Sequence, residues 1–129
     1  MGYWRQFFNT AGESTTLAAL NSGTTATAGA YRVPISGTLR KIVIFIGSEA
    51  ATSLVEDVRV ELTCTKWTPN TQEFVANGSG LRTATTPQHF PFEFAMNQPV
   101  DLSVDINGNY IHDSGSPVTS RIRVMGYVE

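Results

Sequence analysis

The sequence is poor in cysteine and in charged residues. Its 129 residues include a single cysteine, so no disulfide can form within the chain. Charged residues make up only 16% of the chain, against about 25% in an average soluble protein. A surface of threonine, serine and asparagine is easier to desolvate than a charged one, because burying unpaired charge is expensive. The composition therefore favours a protein whose faces contact other subunits.

Long apolar runs and an excess of basic residues are also missing. The longest strongly apolar run, 42–46, is far shorter than the roughly 20 residues that cross a membrane as a helix. The formal net charge is −2, so we expect neither membrane insertion nor general binding to nucleic acid, which requires a basic face. The first residues contain no basic segment followed by an apolar run, and this predicts no signal peptide. We therefore expect synthesis in the cytoplasm rather than secretion.

Strand patterns dominate what is present. Apolar and polar residues alternate over 58–64, 90–96, 100–106 and 121–128. A period of two is typical of strands that are buried on one face only. The run 39–46 is apolar on both sides, which fits a central strand covered on both faces.

Turn signals separate these segments at spacings near ten residues. Asn77-Gly78 and Asn107-Gly108 predict hairpins, because Asn and Gly accept the positive φ of a type I′ turn. The segment Asn97-Gln98-Pro99 predicts a further break. Together these signals predict an all-β fold, a single jelly-roll-like antiparallel β-sandwich that spans 1–129.

Two segments near the start leave alternatives open. Residues 1–10 could form an N-terminal arm or an edge strand, and residues 13–23 could form a short helix, a strand or an extended arm. The first segment is rich in aromatic residues: Tyr3, Trp4, Phe7 and Phe8. An apolar terminal segment docks on its own domain or on a neighbour, so we predict that these four residues form an assembly contact.

No residue constellation predicts an enzyme. The two histidines, His89 and His112, lack the spacing of a zinc site, and no serine lies in a nucleophile elbow. Cys64 falls on the apolar side of an alternating segment, so we expect an inert core residue rather than a nucleophile. We therefore expect no catalytic residue and no required cofactor.

One segment resembles the start of a calcium-binding loop. Asp105, Asn107 and Asn109 recur at every second position, and Asp113 follows. The glycine and the glutamate that complete an EF-hand are missing from the required places. A hairpin with outward polar side chains is the alternative interpretation, and a loose calcium site at these four residues remains open.

The segment 31–42, which reads YRVPISGTLRKI, is similar to the start of a buried strand in small jelly-roll structural proteins. These include viral capsid and decoration proteins and the trimeric C1q/TNF-like domains. The resemblance implies trimer or capsomer packing without catalytic residues. We therefore expect a non-enzymatic, self-assembling structural protein of a virion, which binds copies of itself or other shell proteins. The alternative is a β-sandwich module that binds a carbohydrate or a receptor through exposed aromatic side chains.

Overall fold

The computed structural model describes residues 2–21, 29–48, 57–76, 90–113 and 119–129. Within these ranges every regular element is a β-strand, and none of the described residues forms a helix that could cross a membrane. The strands are β1 (Tyr3–Gly12), β2 (Ala18–Ala19), β3 (Ala30–Arg32), β4 (Gly37–Ser48), β5 (Val58–Thr63), β6 (Thr71–Ala76), β7 (Phe90–Val100), β8 (Asp105–His112) and β9 (Ser120–Val128). The predicted Asn77-Gly78 turn and His89 lie outside the described residues.

The strands form two antiparallel sheets that enclose one apolar core. The first sheet has the order β1-β9-β4-β7. The second has the order β2-β8-β5-β6, and β3 also pairs with β8. The chain alternates between the sheets, except at the adjacent pairs β2/β3 and β5/β6. The predicted all-β sandwich is confirmed.

Alternating side chains of the long strands fill the space between the sheets. Burial along β9 alternates without interruption from Ser120 to Val128, as the sequence pattern predicts. In β4 the inward residues Ile42, Ile44 and Ile46 are fully buried. Because β4 lies between β9 and β7, its predicted central position is confirmed, but its outer side lines an open groove and is not covered by the described residues as predicted.

The aromatic start of the chain forms an edge strand. Among the described strands β1 pairs with β9, and its register shifts between Gln6 and Phe8. This bulge turns both Phe7 and Phe8 inward, where they are 1% and 0% exposed. The ring of Phe7 contacts the ring of Tyr31 with the centroids 4.7 Å apart, so β1 is anchored to the opposite sheet.

The prediction of a hairpin at Asn107-Gly108 is wrong, since both residues lie inside β8. Gly108 is needed there for packing rather than for a turn. A Cβ at Gly108 would lie 2.6 Å from the Phe8 ring and 3.0 Å from Leu20. The backbone of Gly108 is also hydrogen-bonded, because its carbonyl accepts from Leu20 N at 3.0 Å.

Two further strand boundaries differ from the prediction. The predicted break at Pro99 lies inside β7, an edge strand in which a missing N–H is tolerated. The predicted strand over 100–106 is interrupted by a turn, in which Val104 N donates to Asp101 O at 3.0 Å. Ser103 has a φ of 66° in this turn, which carries the chain from the first sheet to the second.

The segment 13–23 forms no helix in its described part. Ser14 Oγ accepts from Thr16 N at 3.2 Å, a local turn that competes with helix formation. Ala18–Ala19 then forms β2, which pairs with β8, and Leu20 enters the core. Of the alternatives that the sequence left open, the structure has a short strand.

Candidate interaction surfaces

The four aromatic residues predicted as an assembly contact divide between the core and the surface. Phe7 and Phe8 lie in the core of their own chain, so the prediction that they contact a neighbour is wrong. The bulge in β1 is the reason, because it removes both rings from the surface. Trp4 is 48% exposed and packs on Tyr127, with the ring centroids 5.2 Å apart. Tyr3 is partly buried against the core.

The face of the first sheet that points away from the second sheet carries an open apolar groove. We call it the first-sheet outer face; its apolar members are Trp4, Val43, Phe45, Met125 and Tyr127. The strand register sets Trp4 opposite Tyr127 and Val43 opposite Met125, so the apolar side chains are neighbours. Val43 forms the floor and is only 8% exposed. The groove encloses about 210 Å³.

An arginine is fixed over this groove by neutral groups. The Arg123 guanidinium lies 5.4 Å from the centroid of the Phe45 ring. Its Nε donates to Gln6 Oε1 at 3.2 Å, and its Nη2 lies 3.9 Å from Met125 Sδ. No carboxylate of the described residues forms an ion pair with Arg123. Its charge is therefore presented outward without a neutralising partner in this part of the chain.

Positive charge predominates on the first-sheet outer face. Arg121 lies beside Arg123 in the outward row of β9, and its Nη1 donates to Asn9 Oδ1 at 3.1 Å. Lys41 forms an ion pair with Glu93 at 3.2 Å. Arg40, which donates to the outward Asn97, forms an ion pair with Glu129 at 3.1 Å, so among the described residues four cations share this face with two carboxylates.

The corresponding face of the second sheet is polar. We call it the second-sheet outer face; its charged members are Arg32, Arg59, Glu61, Glu73 and Asp105. Thr63 and Thr71 lie opposite each other and share a hydrogen bond of 2.9 Å. Val75 and Ile111 are its apolar members, at the end near Arg59.

Two glutamates of the second-sheet outer face lie directly opposite each other. Glu61 of β5 is the register partner of Glu73 of β6. Arg59 lies 3.4 Å from Glu61, whereas Glu73 has no ion pair with any described residue. Like charges in this position repel each other and destabilise the strand pair. The arrangement leaves a site of negative potential near the β6 edge of the face.

The four residues of the predicted calcium site do not converge on one point. Asp105, Asn107 and Asn109 are successive outward residues of β8, and Asp113 follows the strand. Residues two apart in a strand are separated by roughly 7 Å, so the two aspartates lie roughly 27 Å apart. Asp105 instead forms an ion pair with Arg32 at 3.0 Å. No group of three or more potential metal ligands occurs within the described ranges.

His112 is 2% exposed and connects the two sheets. Its Nε2 lies 2.9 Å from Ser120 Oγ, across the core on β9. Its Nδ1 accepts from Ser14 N at 3.3 Å. A neutral ring that accepts at Nδ1 carries its proton at Nε2, which therefore donates to Ser120. This bonding gives His112 a role in holding the fold together.

Three of the six tryptophan and tyrosine residues are buried and cannot stack on a sugar. Trp67 is in the core, where its Nε1–H donates to Pro99 O at 2.9 Å. Tyr31 and Tyr110 are also buried, and burial raises the pKa of both phenols. Trp4 and the partly exposed Tyr127 are the pair that remains on the first-sheet outer face.

The first-sheet outer face was not predicted from the sequence. Its signal was present, because the outward residues of β4 and β9 include Val43, Phe45 and Met125, but the pattern alone does not say which strands are neighbours. No protein-family model matches the sequence, and no curated protein is similar to it. The geometry of the two outer faces is therefore the basis on which a function can be proposed.

Proposed function

We propose that this chain is a non-enzymatic, self-assembling structural protein, a capsid or decoration component of a virion. The observation that carries the proposal is the apolar first-sheet outer face. An antiparallel sheet with one solvated face normally exposes polar side chains there. Here the polar residues of that face surround an apolar groove that is lined by the exposed Trp4 and the partly exposed Phe45 and Met125, and exposed apolar patches are typical of interaction sites.

The size of this face suits a protein contact. At about 4.8 Å between strands and about 3.4 Å per residue, four strands of nine residues cover roughly 19 by 30 Å, or about 570 Å². Two such faces together bury about 1,100 Å², near the lower limit of stable protein interfaces. A contact of this size between copies of the chain fits repeated assembly into a larger shell.

The strand order supports a jelly roll. β2 and β3 pair with the same edge of β8 and count as one strand. When β2 and β3 are counted as the second strand and the later strands are renumbered in chain order, the eight strands have the order 1-8-3-6 in the first sheet and 2-7-4-5 in the second. Double sheets of eight strands are typical of jelly rolls, which include viral capsid domains and lectins. We propose this fold for the chain, in agreement with the resemblance of the segment 31–42.

A carbohydrate- or receptor-binding module is the second candidate. The observation that favours it is the exposed Trp4 beside Tyr127, because aromatic rings on a sheet face can stack on a sugar. The two ring planes are inclined by 53°, so they do not form one flat platform. This geometry favours a shaped protein partner over a flat glycan ring.

The test is the solution mass by light scattering, measured over a range of protein concentrations. We expect the unmodified chain to form oligomers and the variants Trp4→Glu and Met125→Glu to remain near the 14.0 kDa monomer. Leu102→Glu is the matched control, because Leu102 is an exposed apolar residue in the turn between β7 and β8. It should assemble like the unmodified chain.

Either of two results would overturn the proposal. One is a monomer at every concentration tested. The other is an oligomer whose mass is unchanged by both face variants. A glycan array with the Trp4→Ala variant as control then tests the second candidate, which requires binding that is lost in the variant.

A further inference from the structure

The two outer faces of the sandwich carry opposite charge. On the first-sheet outer face the described cations are Arg40, Lys41, Arg121 and Arg123, and the described carboxylates are Glu93 and Glu129, which pair with Lys41 and Arg40. The second-sheet outer face carries three carboxylates and two arginines, and Asp57 and Asp113 lie at its end around a small pocket. Among the described residues, one face is therefore net positive and the other net negative.

A contact between two copies of the first-sheet outer face is electrostatically unfavourable. A two-fold interface places the same patch of both subunits against itself. The arginine row of β9, Arg121 and Arg123, would then approach a second arginine row across a desolvated interface. Like-charge juxtaposition of this kind is a strong barrier to association.

This repulsion does not arise when the first-sheet outer face of one copy contacts the second-sheet outer face of another. The Arg123 guanidinium, which has neutral partners in its own chain, would meet the opposed Glu61 and Glu73 of the next copy. A cation placed between these carboxylates also relieves their mutual repulsion. The apolar groove would be covered in part by Val75, which is 53% exposed, and by the neighbouring Ile111.

We propose that copies of this chain associate head to tail, the first-sheet outer face of one on the second-sheet outer face of the next. This proposal rests on the proposed self-assembly and specifies its geometry. A heterologous contact of this kind closes into a ring if the rotation between copies permits, and otherwise grows as a filament. The assembly is held in part by charge, so it weakens as the salt concentration rises.

The experiment uses two complementary charge-reversal variants of the full chain. In the first, Arg121→Glu with Arg123→Glu makes the first-sheet outer face acidic. In the second, Glu61→Arg with Glu73→Arg makes the second-sheet outer face basic. Each variant alone brings like-charged faces together, whereas a mixture of the two offers opposite charges at every contact.

We expect each variant alone to associate at least about tenfold more weakly than the unmodified chain, and the equimolar mixture to recover assembly. The milder variants Arg123→Gln and Glu73→Gln provide a second measurement, since each removes one charge without introducing the opposite charge. Both should weaken assembly in the same direction. Circular dichroism and urea unfolding of each variant establish that the fold is retained.

The outcomes separate this inference from the proposed function. If the unmodified chain assembles and the Glu61→Arg, Glu73→Arg variant keeps its full mass, the second-sheet outer face is not part of the interface and head-to-tail association is refuted, while self-assembly stands. Assembly that is unaffected by either glutamine variant refutes it in the same way. A monomeric unmodified chain overturns both proposals.

Discussion

The outer faces of the two sheets have the same strand geometry and differ in what they expose. In the first sheet the outward residues of the central strands include Val43, Phe45 and Met125. In the second sheet the corresponding positions hold threonine, asparagine and glutamate, among them Thr63 and Glu61. Period-two alternation states which side of a strand faces the core. The chemical nature of the outward set then indicates whether that side meets water or a partner.

The inner faces do not show this asymmetry. Both sheets direct large apolar side chains into one continuous core, with Ile44 and Val124 from the first and Val60 and Ile106 from the second. Stability therefore depends on both sheets, whereas assembly depends on the outer faces. The following substitutions test that separation.

The largest expected difference in stability is between a substitution on the inner side of β1 and one on its outer side. Phe8→Ala removes a ring that is fully buried between the sheets and should lower the free energy of unfolding by about 3–5 kcal/mol. Trp4→Ala, on the outer side of the same strand, should lower it by less than about 1 kcal/mol. Urea unfolding of both variants measures the difference, and equal losses would contradict the separation of the two sides.

A second prediction concerns the contact between Phe8 and Gly108. Gly108→Ala places a methyl group against the Phe8 ring and should cost about 1–3 kcal/mol of stability. If this clash is the cause, the cost should be smaller in the background of Phe8→Leu, because the side chain opposite is shorter and more adaptable. A double-mutant cycle by urea unfolding measures the coupling. Additive costs would show that Gly108 is required for another reason.

The sequence predicted the parts of this fold that depend on alternation and missed those that depend on contacts between distant segments. The all-β sandwich and the central position of β4 follow from local patterns. The pair Asn107-Gly108 has the sequence pattern of a turn. The actual reason for a glycine at 108 is the packing of Phe8, which lies about a hundred residues earlier in the chain. The bulge in β1 was likewise not predictable, since the sequence of 1–10 does not indicate which of its aromatic side chains point inward.

The candidate surface was less predictable than the fold. Trp4 was among the residues predicted to contact a partner, and it is exposed. The other apolar members of the first-sheet outer face come from β4 and β9, which are distant in sequence from each other and from β1, and only the strand order makes them neighbours. The proposed calcium residues show the converse, because regular spacing along one strand separates Asp105 from Asp113 instead of bringing them together.

Two tyrosines on the inner face of the second sheet should make the free energy of unfolding decrease at alkaline pH. The expected change is smaller than that of the core substitutions above. Burial raises the pKa of Tyr31 and Tyr110 in the folded chain. The unfolded chain therefore loses these protons first, so stability is fully present below about pH 10 and falls as the pH rises through the folded values. Tyr31→Phe and Tyr110→Phe should each move alkaline unfolding to higher pH, as followed by circular dichroism. An unchanged midpoint in both variants would show that other groups govern it.

The smallest expected effect concerns Glu73, which has one role in the stability of the strand pair β5/β6 and another in the proposed contact with the next copy. Glu73→Lys turns a repulsive cross-strand pair with Glu61 into an attractive one, which should raise the free energy of unfolding by about 0.2–1 kcal/mol. The same substitution removes negative charge from the face that receives Arg123 of the next copy, so assembly should weaken. Thr71→Lys, on the same strand and face but opposite Thr63, is the control and should bring no comparable gain in stability. A Glu73→Lys variant that is no more stable than the unmodified chain would contradict the repulsion between Glu61 and Glu73, and one that assembles as well or better would contradict the contact assigned to Glu73.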